Sequence, residues 1–264
     1  LYWTDILMGR LFWYNPLTSE SRQCYDGRMV GGFTVQSDGS LLLFMDKGAV
    51  VVWRDGQIIR TVIDSIPTEF DQRFNDVAAD PVGRVLCGTI PLSNVERRSG
   101  KLYQLDLDGT YRVLLDKIGI SNGIAFSTDC KTMYYVDSLA DTIWKFAYEQ
   151  ETGEISNQEE FLTFASESGS PDGMTVDRNG NLWIAVAMGW GIVQYDPDGK
   201  LLRRIELPAK FVSSLAFGGE NLTQLFVTTG TDCEGEDRGE AAGSLMVVEP
   251  GVAGVSEFCS RILI

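Results

Sequence analysis

Three oxygen-bearing side chains stand at the same place in a pattern that recurs along the sequence. Each lies four residues before an apolar position, which is followed by a polar or glycine-containing turn and a second strand-like segment; the three are Asn75, Asn122 and Asp172. Amide and carboxylate oxygens suit a hard divalent cation such as Ca²⁺, Mg²⁺ or Mn²⁺, and a carboxylate-rich set also accepts Zn²⁺. The alternative is that these side chains only satisfy backbone groups at turns and strand ends, as Asn and Asp often do.

The chain contains no histidine. This excludes Ser-His-Asp and Cys-His catalysis and every metal site that uses an imidazole ligand. Hydrolytic chemistry, if the protein performs it, must then rest on carboxylates, amides, Arg, Lys or a metal held by oxygen ligands.

Short strands separated by tight turns would position these residues. The aligned apolar positions are spaced by 41 to 50 residues, which is the size of one propeller blade. They are Val35, Ala79, Phe126, Val176 and Phe217. Counting a partial unit at the start, the 264-residue chain is predicted to be an all-β, six-bladed β-propeller that forms a single domain over residues 1–264.

Equivalent positions in a propeller form a ring. The first strand of each blade lines the central channel, and side chains alternate along a strand, so these residues should point the same way at one mouth. Gly31 and Ser213 complete the ring, and Ser213 is interpreted as part of the pocket wall. Arg73 should face the same way as Asn75 and hold substrate oxygens with its planar guanidinium, although a surface ion pair is the alternative. Asp76 is expected to point away from the channel.

Two loops and two turn residues complete the candidate set. The loop 91–100, with Glu96, is long for its blade and is interpreted as a lid or substrate wall, with a solvated charged loop as the alternative. Trp190 is expected to border the channel mouth. Asp80 and Asp177 follow strands directly and are interpreted as structural.

Charge and cysteine content limit the partners. With 22 basic and 37 acidic residues the net charge is −15, which repels nucleic acid and anionic membranes. No apolar run reaches the roughly 18 residues that a membrane-spanning helix needs. The five cysteines are widely spaced without a CxxC pair, which predicts reduced thiols and a cytoplasmic location. We expect a monomer or weak dimer.

Several stretches carry a family resemblance. They contain the segments RFNDVAADP, SNGIAFS, MYYVDS, PDGMTVD, GNLWIA and LAFGG, which are residues 73–81, 121–127, 133–138, 171–177, 180–185 and 215–219. In this order they resemble the family of senescence marker protein (regucalcin), gluconolactonase and luciferin-regenerating enzyme.

The resemblance implies a six-bladed β-propeller with one divalent metal cation in its central channel, and the hydrolysis of sugar lactones in many members. By motif, Asn122 and Asp172 would be metal ligands, and Asp172 would also accept and return a proton during catalysis. Arg73 and Asn75 would bind the sugar lactone.

One departure concerns the start of the chain. The family normally begins with an inner strand that bears a Glu-Gly-Pro-like motif, whose Glu is a metal ligand. That strand would precede residues 1–6, so the first blade is expected to lack its inner strand here. Two other functions stay open: a non-catalytic calcium- or metabolite-binding propeller, and an esterase or organophosphate hydrolase on the same metal site.

Overall fold

The computed structural model describes residues 1–165, 168–231 and 237–264. In this part of the chain, 22 strands form six sheets, each built from strands that are consecutive in the sequence. The six sheets confirm the predicted six-bladed β-propeller. The structure divides into two compact units, which hold three sheets each. The interpretation of residues 1–264 as one domain stays a prediction.

Unit 1 comprises residues 1–121, 150–154 and 257–264. Its sheets contain β1 (Tyr2–Asp5), β2 (Arg10–Asn15) and β3 (Glu20–Asp26); β4 (Val30–Val35), β5 (Leu41–Met45), β6 (Val50–Arg54) and β7 (Gln57–Ile63); and β8 (Gln72–Ala79), β9 (Val85–Pro91), β10 (Gly100–Leu105) and β11 (Tyr111–Ile118). Short 3₁₀ helices span Pro67–Glu69 and Val95–Arg97. The first sheet has three strands, and its third, β3, was not indicated by the sequence pattern.

Unit 2 comprises residues 122–149 and 155–256. Its sheets contain β12 (Ser121–Phe126), β13 (Thr132–Asp137), β14 (Thr142–Glu149) and β15 (Glu154–Thr163); β16 (Ser170–Val176), β17 (Leu182–Ala187), β18 (Gly191–Tyr195) and β19 (Leu201–Glu206); and β20 (Val212–Gly218), β21 (Gln224–Thr229) and β22 (Leu245–Val248). The first residues of β12 and β15 fall in unit 1. A 3₁₀ helix spans Ser138–Ala140.

The cores lie between neighbouring sheets, because the second strand of a blade is apolar on both faces. In β5, Leu41, Leu43 and Met45 join one buried cluster, whereas Leu42 and Phe44 join another. Strand β17 divides its residues between two clusters of unit 2 in the same alternating way. Alternation along a strand therefore packs the middle sheet of each unit against both of the other sheets in that unit.

Two buried aspartates organise the turns after the inner strands. In unit 1, Asp80 accepts backbone bonds from Val82, Gly83 and Arg84, and also the Nε–H of Arg84. In unit 2, Asp177 accepts bonds from Asn181, from the indole N–H of Trp183 and from the amide of Gln194. Both side chains are buried, which agrees with their interpretation as structural residues.

The predicted thiols and membrane properties can be compared with the described residues. There, Cys24, Cys87, Cys130 and Cys259 form no disulfide. The fifth cysteine, Cys233, lies outside the described residues. None of the helices in the described ranges is both long enough and apolar enough to cross a membrane.

Replacing Asp177 by Ala should destabilise the protein strongly. The indole, amide and backbone donors that bond to this fully buried carboxylate would lose their acceptor, at a cost of roughly 3–5 kcal/mol. Urea unfolding followed by tryptophan fluorescence measures the change. Asp129 is the matched control, because it holds a similar turn by bonding to Lys131 N–H and Ser127 but is exposed. Asp129→Ala should cost about 1 kcal/mol or less; equal losses in the two variants would contradict the structural role.

Candidate functional site

The inner strands share a ladder irregularity that the sequence pattern did not reveal. In β4, β8, β16 and β20 the pairing with the next strand shifts by one residue, so that each inner strand carries one extra residue. The shifts lie at the ring positions predicted from the sequence, which are Gly31, Asn75, Asp172 and Ser213. Such β-bulges redirect side chains and are common beside active sites.

In unit 1, Arg73 and Asn75 lie together on β8. Arg73 Nη1 donates to Asn75 Oδ1 over 2.6 Å and to the Phe74 carbonyl over 3.0 Å. Asn75 is buried, and its Nδ2 donates to the Ser121 carbonyl over 2.7 Å. The two side chains therefore face the same way, as expected, and Asn75 holds the residue that precedes Asn122 in the chain.

In unit 2, Asn122 and Asp172 lie on two edge strands that approach each other closely. A Cβ atom added to Gly123 would lie 2.7 Å from the Asp172 carbonyl oxygen, so only glycine allows this approach. Asn122 is buried and its Nδ2 donates to Ser138 Oγ over 2.8 Å. The side chain of Asp172 is partly exposed. The backbone segments that carry the two predicted metal ligands therefore lie close together within unit 2.

This donor set fits a hard cation. The bond from Asn122 Nδ2 to Ser138 places the amide oxygen on the opposite branch, and Asp172 adds a carboxylate that solvent can reach. In the described ranges, no cluster of three or more His, Cys, Asp or Glu side chains is arranged to hold a metal. The candidate site instead combines one carboxylate with an amide, which suits the oxygen-preferring divalent cations.

Three residues were predicted to form the pocket wall, and the structure shows the surroundings of each. Ser213 bonds within its own sheet, to the carbonyl and hydroxyl of Thr228. Glu96 is exposed in the 3₁₀ helix of the loop 91–100. Trp190 lines a pocket of about 530 Å³ together with Met188, Arg204 and others; neither Asn122 nor Asp172 is among the described residues that line it. Their roles as wall residues stay predictions.

Asp76 was expected to point away from the channel because side chains alternate along a regular strand. The bulge at Asn75 and Asp76 interrupts this alternation. Two residues there oppose one on β9, so side chains no longer alternate. Asp76 is partly buried, and this burial, reinforced by the Glu257 carboxylate, raises its pKa to about 6 despite the bond that it accepts from Val77 N–H. Sequence periodicity cannot reveal such a residue, because a bulge leaves no periodic signal.

Residues 1–231 match the family described as SMP-30/Gluconolactonase/LRE-like region. The chain belongs to this family. Over 271 residues it is 42% identical to the pentonolactonase XacC of Haloferax volcanii, covering 99% of this chain and 90% of that protein. Over 233 residues it is 34% identical to regucalcin of Homo sapiens, covering 84% of this chain and 77% of that protein. These relatives confirm the resemblance seen in the sequence.

A solved structure of a luciferin-regenerating enzyme in this family superposes with a TM-score of 0.88 at 29% identity, covering 99% of this chain and 91% of that chain. The SMP-30/gluconolactonase/LRE-like fold is therefore shared over almost the whole chain.

Replacing Asp76 by Asn should stabilise the metal-free protein at high pH. The pKa of Asp76 in the folded protein is about 6, above the ordinary value of 3.8. The contribution of its protonated carboxyl group to folding stability is therefore fully present below pH ~4 and is lost as the pH rises through 6. The neutral variant should escape this loss and gain up to about 3 kcal/mol at pH 8 relative to the wild type. Thermal unfolding between pH 4 and pH 8, with chelator present, measures the difference.

Asp108→Asn is the control for this experiment. Bonds from the Thr110 hydroxyl and N–H lower the pKa of Asp108, so its replacement should not stabilise the protein as the pH rises. A difference between Asp76→Asn and wild type that is constant with pH would contradict the raised pKa.

Proposed function

We propose that this protein is a lactonase that opens sugar lactones with the help of one divalent cation held by Asn122 and Asp172. The observation that supports the proposal is the close approach of the backbones of β12 and β16 in unit 2, the strands that carry the oriented amide of Asn122 and the partly exposed carboxylate of Asp172. Relatives named pentonolactonase and sugar lactone lactonase support the reaction class.

The cation and the protein supply different parts of the chemistry. A divalent cation bound here would polarise the lactone carbonyl and stabilise negative charge on its oxygen. Ca²⁺, Mg²⁺, Mn²⁺ and Zn²⁺ all accept these ligand types. The central channel of the propeller is the proposed location.

Asp172 is the proposed proton acceptor and donor. As water attacks the carbonyl carbon, the carboxylate takes one proton from the water. The bond between the carbonyl carbon and the ring oxygen then breaks, and Asp172 returns the proton to the departing alkoxide oxygen. The products are a carboxylic acid and a hydroxyl group on one open chain, so no further reactant is needed.

Arg73 and Asn75 are the proposed substrate-binding residues. The contact between Arg73 Nη1 and Asn75 Oδ1 fixes the guanidinium, whose five N–H donors can serve several acceptors. Sugar hydroxyls and the ring oxygen of a lactone are suitable acceptors. A fixed donor array positions the substrate and reduces the entropy cost of reaction.

Asp172→Asn should lower kcat by at least ~10²-fold, because an amide retains an oxygen ligand but cannot accept the proton. Asp172→Ala should in addition weaken metal binding. Hydrolysis of aldonolactones, followed by acid release, measures activity with and without chelator, and calorimetry measures metal binding. Asp129→Asn, in an exposed turn, is the control and should match the wild type.

Full lactonase activity in Asp172→Asn would overturn the catalytic assignment. Metal binding without hydrolysis of any lactone would favour a non-catalytic cation-binding propeller. Faster hydrolysis of simple esters or organophosphates than of lactones would favour the other hydrolase class.

Arg73→Lys should raise KM by about tenfold and change kcat less. Lysine keeps the positive charge but lacks the planar array of N–H donors. The variant should therefore bind the substrate and the transition state more weakly by a similar amount, which raises KM more than it changes kcat. Steady-state kinetics with one aldonolactone separates the two constants. Arg54→Lys is the control, because Arg54 pairs with Asp38 at an exposed turn. A fall in kcat with unchanged KM would assign Arg73 to the chemical step instead.

We also propose a cytoplasmic location, which rests on the wide spacing of the five cysteines, and no nucleic-acid or membrane partner, which rests on the net charge of −15.

A further inference from the structure

Ser138 connects the two proposed metal ligands. It directly follows β13, opens the 3₁₀ helix Ser138–Ala140 and is buried. Its hydroxyl accepts a bond from Asn122 Nδ2 over 2.8 Å and donates to the carbonyl of Pro171, which precedes Asp172. One hydroxyl group thus bonds to the side chain of one ligand and to the backbone next to the other.

The proton of this hydroxyl determines how the Asn122 amide is oriented. A serine hydroxyl has one proton, and the Pro171 carbonyl can only accept a bond, so the proton is committed to Pro171. Toward Asn122 the hydroxyl then offers only lone pairs, which require the amide NH₂ group. The amide oxygen is therefore held on the branch away from Ser138, where it can act as a ligand.

The bond to Pro171 fixes the backbone beside Asp172. Strand β16 is at the edge of its sheet, and its ladder shifts between Pro171 and Met174. The backbone around Asp172 thus has a weaker ladder to hold it than a regular strand has. The Ser138 hydroxyl gives the carbonyl at the start of this irregular segment a defined partner.

The same arrangement recurs elsewhere, which indicates that it is a feature of the fold. In unit 1, Thr4 Oγ1 donates to the Val30 carbonyl before Gly31, and Asn75 Nδ2 donates to the Ser121 carbonyl before Asn122. Ser138 is the donor of this kind that also accepts a bond from the side chain of a proposed metal ligand, Asn122.

We propose that Ser138 is a positioning residue for the metal site: it orients the Asn122 amide oxygen and anchors the strand that carries Asp172. This inference rests on the proposed metal site of Asn122 and Asp172, and it assigns no chemical step to Ser138 itself.

The test measures metal affinity in Ser138→Ala. The protein is stripped with chelator and titrated with CaCl₂ and with MnCl₂ by isothermal calorimetry. Loss of a residue that orients a ligand typically weakens metal binding by about 10–100-fold, and this is the expected result. Circular dichroism of the metal-free variants checks that they are folded.

Thr34→Val is the matched control. Thr34 is also buried, but its hydroxyl bonds to the Ser260 hydroxyl of the same unit over 2.7 Å rather than to a proposed ligand. The variant should lose stability without losing metal affinity. If both variants lose affinity equally, or if Ser138→Ala binds metal as the wild type does, the proposal is wrong.

Ser138→Cys is tested in case Ser138→Ala does not fold. A thiol occupies the space but is a weak donor and acceptor, so its affinity should also fall below that of the wild type. Unchanged affinity in Ser138→Cys overturns the proposal.

A double-mutant cycle isolates the orienting effect. In Asn122→Asp both side-chain branches are oxygens, so orientation no longer matters. Ser138→Ala should then reduce metal affinity less in the Asn122→Asp background than in the wild type. An equal reduction in the two backgrounds would show that Ser138 does not orient the Asn122 amide.

Failure of this inference can be distinguished from failure of the proposed function. If the wild type binds neither metal, the metal site and the inference are both overturned. If the wild type binds metal, Asp172→Ala does not, and Ser138→Ala binds normally, only the role of Ser138 is overturned.

Discussion

The inner strand of each four-stranded sheet lies at the edge of its sheet, so half of its backbone groups need partners outside their own ladder. Side chains meet part of this requirement. The carbonyls of Val30, Phe74, Ser121 and Pro171, each just before a ring position, accept bonds from Thr4, Arg73, Asn75 and Ser138, respectively. Polar side chains therefore help to hold the inner strands in place, and these include Arg73 and Asn75, the residues proposed to bind substrate.

The sequence was sufficient to predict the blades because its apolar residues alternate and its turns contain Gly, Asp and Asn. Residues 30–63 and 170–206 each form four consecutive strands joined by short turns, the pattern that the repeat predicted. Strand β3 was missed, since six of its seven residues, Glu20–Gln23, Cys24 and Asp26, are polar or small and five are exposed. The bulges were missed because one extra residue in one strand does not change the spacing of the repeat.

Residue type and position in the repeat were enough to predict candidate metal ligands, but not the residues that orient them. Asn122 and Asp172 were predicted as metal ligands because amide and carboxylate oxygens recur at one position, and the backbones of β12 and β16, which carry them, approach closely in unit 2. Ser138 was not singled out. Its role depends on which group receives its proton, and its partners lie 16 and 33 residues away in the sequence. No local pattern records that relationship.

The one-residue ladder shift in the inner strands relaxes the limits on which side chains can occupy the bulged position. A side chain on a regular strand is constrained by cross-strand neighbours, whereas the extra residue of a bulge has none directly opposite. At four such positions this chain holds Gly31, Asn75, Asp172 and Ser213, which differ in size and charge. A bulge therefore accommodates side chains of different size and charge at one position of the inner strand, while the regular strands that pair with it stay the same.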